Sequence, residues 1–188
     1  MKKRILTWLL AISMLGSLLT VPAGAAAVTK FSDVSDSYTA TAVETLRLMG
    51  VLDGYGDGTF RPDTVLNRAQ FCKMAVYAMD GSGELGRYST VTIFPDVKPS
   101  HWASAYINMA ARKGIISGFA DGKFKPGQTV TAGQAVTILM RGLGYKDEDM
   151  GGVWPQSYMA EAQTCGLLKS TGITSAYSAL TRRLVLEV

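Results

Sequence analysis

The sequence is short of the residues from which most catalytic and metal centres are built. Its 188 residues include 1 histidine and 2 cysteines. With His101 alone, a multi-histidine metal site is excluded, and no G-x-S-x-G motif stands near it to supply a serine nucleophile. Cys72 and Cys165 are too few for a disulfide-stapled scaffold of the small secreted kind. One bridge between them is open to the sequence. Both sit among apolar residues at helical spacing, however, so two buried free thiols is the preferred reading.

Long apolar runs are also missing, except at the N-terminus. There Lys2, Lys3 and Arg4 precede an uncharged run from Ile5 to Val21, followed by Pro22-Ala23-Gly24-Ala25. This pattern predicts a secretory signal peptide over residues 1–25, with Ala23 and Ala25 suiting cleavage. An uncleaved anchor is the alternative, because the run approaches the length of a bilayer span; the small-residue site directly after it favours cleavage. Removing the segment takes three of the 19 basic residues and none of the 15 acidic ones, so the formal charge of +4 falls to about +1. The remaining chain of about 163 residues therefore has no basic stripe for nucleic acid, and no membrane contact is expected after cleavage.

What the chain does have is internal repetition, which organises everything else. Residues 31–80 contain FSDV, GVLDGYGDGTFRP and LNRAQF; residues 94–145 contain FPDV, GIISGFADGKFKP and VTAGQAV. From Tyr38 and Trp102 onward the copies run in register with a shift of 64, pairing Gly50 with Gly114, Phe60 with Phe124 and Pro62 with Pro126. A weaker third copy spans 153–188. Trp154 precedes Gly166 by 12 residues, the interval that separates Trp102 from Gly114, and Leu180-Thr181-Arg182-Arg183 stands where Leu66-Asn67-Arg68-Ala69 does. Its DGxFxP segment is absent, and a truncated second helix is expected. Glycine-rich connectors lie at 81–86 and 142–152.

Each copy reads as helix, loop, helix. In the second copy Ser100 is expected to cap a helix that places Trp102, Tyr106, Ile107 and Ala110 on one face and ends at a left-handed Gly114. The first copy repeats this with Tyr38, Ala42, Val43, Leu46 and Gly50. The second helices open at Asn67 and Thr131, each with a glutamine three residues later, which is capping-box spacing. Phe71, Met74, Ala75 and Ala78, with Val136, Leu139 and Met140, are the expected core. A helix pair of this size cannot bury its apolar stripe alone, so one composite, all-α domain with little or no β structure is predicted.

Several chemistries are disfavoured. The run Asp53 to Gly58 has the look of a calcium loop, but Tyr55 and Thr64 stand where an EF-hand needs oxygen ligands and a bidentate glutamate. No pair of acids is placed for glycoside hydrolysis. No metal, no cofactor and no catalytic residue is expected. At Arg68, by contrast, a guanidinium beside a helix N-terminus is suited to gripping a carboxylate; a solvated surface arginine is the plainer alternative.

These motifs, in this order and spacing, resemble the S-layer homology domain, over residues 31 to about 145 strongly and 153–188 weakly. The resemblance implies a pseudo-threefold helical spindle formed by three repeats. It further implies non-covalent attachment to a secondary cell-wall polysaccharide, often carrying pyruvylated sugars, on Gram-positive cells, without enzymatic activity. The family's threonine-arginine-alanine-glutamate signature falls on Asn67, Arg68, Ala69 and Gln70, and on Thr181, Arg182, Arg183 and Leu184. In the second copy it falls on Thr131, Ala132, Gly133 and Gln134, where the arginine is lost. The expected glycan-binding residues are Arg68, Asn67, Tyr38, Gly54, Trp102, Thr131, Gly118, Trp154 and Arg182. The aromatics also suit core packing, Asp33 and Asp96 suit helix capping or sugar hydroxyls, and Gly54 and Gly118 suit close ligand approach or turn geometry alone. The expected localisation is secreted, on the cell wall or S-layer. The alternative functions are a structural or assembly protein, with other surface-layer proteins as partners, and the anchor piece of a longer surface enzyme.

Overall fold

Local capping chemistry sets where the helices begin and end. The computed structural model describes residues 31–79, 82–169 and 171–186, so the expected signal peptide, 1–25, lies outside the described residues. In the first copy, α1 (Ser37–Leu48) starts where Asp36 accepts the Thr39 amide at 2.7 Å, and α2 (Arg68–Ala78) opens with a capping box between Asn67 and Gln70. In the second copy, α3 (Ser104–Arg112) is followed by α4 (Ala132–Gly142), whose box pairs Thr131 with Gln134. The C-terminal segment carries α5 (Gln156–Thr164) and a single 3-10 turn, Leu184–Leu186. Glycines in the left-handed region stop the first helices: Gly50 at φ 74°, Gly114 at 71° and Gly166 at 87°. The described residues are thus all-α, with three isolated antiparallel bridges as their β structure.

Those bridges join three segments in a ring. The Leu66 amide donates to the Leu180 carbonyl at 2.9 Å, Leu180 to Val130 at 3.0 Å, and Val130 back to Leu66 at 2.9 Å. Two further bonds repeat around it. Arg68, Ala132 and Arg182 amides donate to Gln128, Ser178 and Thr64 carbonyls, while Ala69, Gly133 and Arg183 amides donate to Pro126, Ala176 and Pro62 carbonyls. The ring residues are 0–1% exposed, so these bonds form in a dry centre where an unmade one would be costly. From it, α2 and α4 run out against each other, with α3 packed on α2 and α5 on α4. One apolar cluster joins Val43, Phe60 and Phe71 of the first copy with Ile107, Phe124 and Ile138 of the second, and with Leu180.

Four expectations are corrected. Ser100 caps nothing: turns carry the chain through His101 to Ala103, and α3 starts at Ser104 without a side-chain cap. Trp102 therefore stands before the helix rather than on its buried face, and is 57% exposed. Ala78 is exposed and Leu139 half-buried, because both line an open apolar cavity, Leu139 while packing against the core cluster. Cys72 is buried, with burial pushing its pKa up to about 12, but Cys165 is exposed because it follows α5 as its C-cap.

Candidate functional site

The motif arginines do not reach into solvent. Arg68 is 5% exposed; its Nε donates to the Phe124 carbonyl at 2.8 Å and its Nη2 to the Ser117 carbonyl at 3.2 Å. The guanidinium lies 4.4 Å from the Phe124 ring centre and 4.7 Å from that of Phe119. Arg182 repeats the arrangement in the first copy's loop, donating to Phe60 at 2.7 Å and Asp53 at 2.6 Å, over the rings of Phe60 and Tyr55. Each arginine is a clasp from one copy into the loop of another. Burial pulls both guanidinium pKa values down, offset in part by the nearby acidic groups Cys72 and Asp96 at Arg68 and Tyr55, Asp53 and Asp33 at Arg182.

The helix start beside Arg68 offers no unpaired amides, contrary to the expected anion grip. The Arg68 and Ala69 amides are taken by the Gln128 and Pro126 carbonyls, and that of Gln70 by Asn67 Oδ1 at 2.9 Å. Asn67 and Thr131 are spent as capping residues.

Asp33 and Asp96 cap neither first helix. Asp33 accepts the amides of Phe60 and Arg61 at 2.7 and 2.6 Å, and Asp96 those of Phe124 and Lys125 at 2.9 and 2.7 Å. Arg61 and Lys125 hold positive φ, 56° and 57°, so the carboxylates pin a left-handed kink that non-glycine residues rarely adopt. Desolvation alone would raise both carboxyl pKa values, but the backbone donors outweigh it and lower them. Gly54 and Gly118 are required by packing: a Cβ on Gly54 would lie 1.8 Å from the Phe31 ring, and one on Gly118 2.7 Å from that of Phe94.

Two grooves result, whose loop residues and second-helix residues Gln70 and Gln134 correspond under the shift of 64. The first, about 220 Å³, is lined by Asp53, Gly54 and Tyr55 of the loop, by Gln70, Lys73 and Met74 of α2, and by Trp102 and Arg182. The second, about 380 Å³, is lined by Ser117, Gly118 and Phe119, by Gln134, Thr137, Ile138 and Arg141 of α4, and by Trp154 and Arg68, with Asp147 and Tyr158 at one end. Each groove draws on all three copies. Gly54, Trp102 and Arg182 meet in the first and Gly118, Trp154 and Arg68 in the second; Tyr38, 69% exposed on α1, lines neither.

Lys73, Gln70, Thr137, Arg141 and Asp147 are groove residues that the sequence reading missed. For Lys73, Gln70, Thr137 and Arg141 the available signal was a polar residue within the apolar runs of α2 and α4. Lys73 Nζ meets Asp53 Oδ2 at 2.6 Å. Arg141 holds Asp147 through two bonds, 2.8 and 2.7 Å, and donates to Ser117 Oγ at 2.8 Å. The Arg141 pairing, then the Tyr158 hydroxyl, lowers the Asp147 pKa. Trp154 is fixed by its indole N–H to Thr137 Oγ1 at 3.0 Å and remains 51% exposed. Each groove thus sets two cations against one carboxylate, with an indole plane at its edge. Such a lining suits a ring-shaped polar ligand bearing negative charge. Among the described residues, no group of three or more His, Cys, Asp or Glu side chains is placed to hold a metal ion.

Known proteins bear on these grooves. The S-layer homology domain family matches residues 30–72 and 93–136. A cell surface protein of Thermoanaerobacter kivui is 37% identical over 163 residues, 85% of this chain and 20% of that protein. A middle cell wall protein of Brevibacillus brevis is 33% identical over 83% of this chain and 14% of its own length. A cellulosome-anchoring protein of Acetivibrio thermocellus is 31% identical over 60% of this chain and 26% of its own length. The chain therefore spans about a quarter or less of each of these relatives.

Proposed function

We propose that this chain, which carries two S-layer homology domains, attaches to the bacterial cell surface by binding a wall polymer in its two grooves. The ligand in this reading is an acidic secondary cell-wall polysaccharide, with pyruvylated sugars as the anionic units, on a Gram-positive wall. The observation that carries it is the recurrence, at two places, of an exposed tryptophan beside two cations and one carboxylate. A sugar ring stacks on Trp102 or Trp154, and its acidic group is drawn to Lys73 or Arg141. Arg182 and Arg68 shape the walls from behind and add positive potential.

The chain acts as a binding module rather than an enzyme in this reading, with three copies, 31–80, 94–145 and 153–188, sharing one domain. The closed ring of Leu66, Val130 and Leu180 supports that division, as does the matching seat of Arg182. Tyr38 and Ala132 belong to a third position that lacks a clasping arginine.

The test is co-sedimentation of the chain with purified wall sacculi, before and after chemical removal of the polysaccharide. Binding that vanishes with the polysaccharide supports the proposal, and binding that survives removal sinks it. The alternative of a surface assembly protein draws on the apolar cavity beside α2 and α4. Sedimentation as a monomer with full wall binding would remove its basis.

A further inference from the structure

Both grooves hold one loop residue between two cations, and that residue differs. In the first groove it is Asp53, whose carbonyl accepts from Arg182 Nη2 at 2.6 Å and whose Oδ2 meets Lys73 Nζ at 2.6 Å. In the second it is Ser117, whose carbonyl accepts from Arg68 Nη2 at 3.2 Å and whose Oγ accepts from Arg141 Nη1 at 2.8 Å. Asp53 and Ser117 are counterparts under the shift of 64, which also pairs Lys73 with Thr137 and Tyr77 with Arg141. The second groove's cation thus springs from one helical turn further along, about 6 Å of rise, yet reaches the same loop position. Its carboxylate comes from the groove's end instead of the loop: Asp147 takes Arg141 Nε and Nη2 at 2.8 and 2.7 Å.

These exchanges decide what each groove does with negative charge. A ligand carboxylate that approaches Lys73 meets the Asp53 charge beside it, so attraction and repulsion largely cancel. Neutral hydroxyls fit there, donating to Asp53 and accepting from Lys73. At Ser117 no charge opposes the ligand, and the Nη1 end of Arg141 keeps a donor for it while Asp147 holds the other edge. We propose, on the reading of both grooves as sugar sites, that acid selectivity resides in the second groove and is set by Ser117, whereas the first groove takes acidic and neutral rings about alike. Asp53 and Ser117 are both exposed, so substitutions there leave the core untouched.

The probes are oligosaccharides released from the wall polymer, native and with their carboxylates reduced to alcohols, titrated into the full chain. Trp102 and Trp154 each line one groove, so their indole N–H signals in a heteronuclear NMR spectrum report the two grooves separately. Reduction should weaken binding at Trp154 roughly tenfold and at Trp102 by less than about twofold. Ser117→Asp should remove that dependence from the second groove, and Asp53→Ser should create it in the first; thermal melts check that both variants stay folded. An equal loss at both indoles, a Trp102 signal that stays still while that of Trp154 moves, or an acid dependence unchanged in Ser117→Asp overturns the division alone. Native oligosaccharide that moves neither indole overturns the reading of the grooves as sugar sites, and the division with it.

Discussion

Arg68 donates to the Phe124 carbonyl at 2.8 Å and lies 4.4 Å from the centre of the Phe124 ring, so an arginine of the first copy completes a loop of the second. That geometry changes what an arginine mutation measures. Arg68→Met keeps the stem but leaves the Phe124 carbonyl unmet in a buried site and takes the partner from the Ser117 carbonyl at the groove. Removing charged hydrogen bonds of this kind costs about 3 kcal/mol. Urea unfolding should therefore show a lower midpoint with little change in slope. Full stability with lost wall binding would instead mark Arg68 as a ligand contact alone.

The tryptophans separate binding from folding. Trp102 is 57% exposed and stands before α3, so Trp102→Ala should shift stability by no more than about 0.5 kcal/mol. Wall binding should weaken roughly tenfold, as expected for loss of one aromatic contact. Paired melts and sacculus pull-downs check both halves. A large fall in melting temperature would return Trp102 to the packing role.

Much of this fold is legible locally. Capping boxes at Asn67 and Thr131 and stop glycines at Gly50 and Gly114 lie within a few residues of the helix ends they set, so they read directly from sequence. The arginine seats do not, because Arg68 meets its carbonyls 56 and 49 residues away and Arg182 meets its own 122 and 129 away. Trp102 was misjudged for a nearer reason: helical spacing predicts a buried face only if the helix has already begun. Asp147 lay hidden in a glycine-rich connector, where nothing local marks it as the partner of Arg141.

Acid should loosen the two loop kinks. Asp33 and Asp96 titrate below their usual 3.8, so the stability they contribute is fully present above that unfolded value and is lost as pH falls through the folded one. The melting temperature should thus fall once the pH drops below about 4. In Asp33→Ala/Asp96→Ala the baseline should be lower and the acid drop smaller. An unchanged acid drop would place the sensitivity elsewhere.

Gly54 tests the loop from another side. Its φ is not in the left-handed region, so Gly54→Ala is a pure packing change, with Cβ driven to 1.8 Å from the Phe31 ring. Overpacking of this order costs about 1–3 kcal/mol. The loss should show in a thermal melt, and Gly56→Ala, where nothing lies within 4 Å of the added Cβ, is the matched control.

The absent arginine at Ala132 follows from what it would have to clasp. Phe60 and Phe124 stand six residues before Leu66 and Val130, and the residue six before Leu180 is Thr174. The third seat has thus lost its aromatic plate, while its backbone bonds persist, Ala132 to Ser178 at 2.9 Å and Gly133 to Ala176 at 2.8 Å. Gly133 has also closed the space, since a Cβ there would lie 2.9 Å from Pro155 Cβ. Restoring the motif with Ala132→Arg should therefore destabilise the chain by about 1–3 kcal/mol, because a long cation enters a site that is 0% exposed and has no ring to cover it. Adding Thr174→Phe should recover part of that loss, since residues sharing one seat are not additive. Urea unfolding of both singles and the double decides it: strict additivity would mean that arginine and aromatic are not partners, and that the two losses are unrelated.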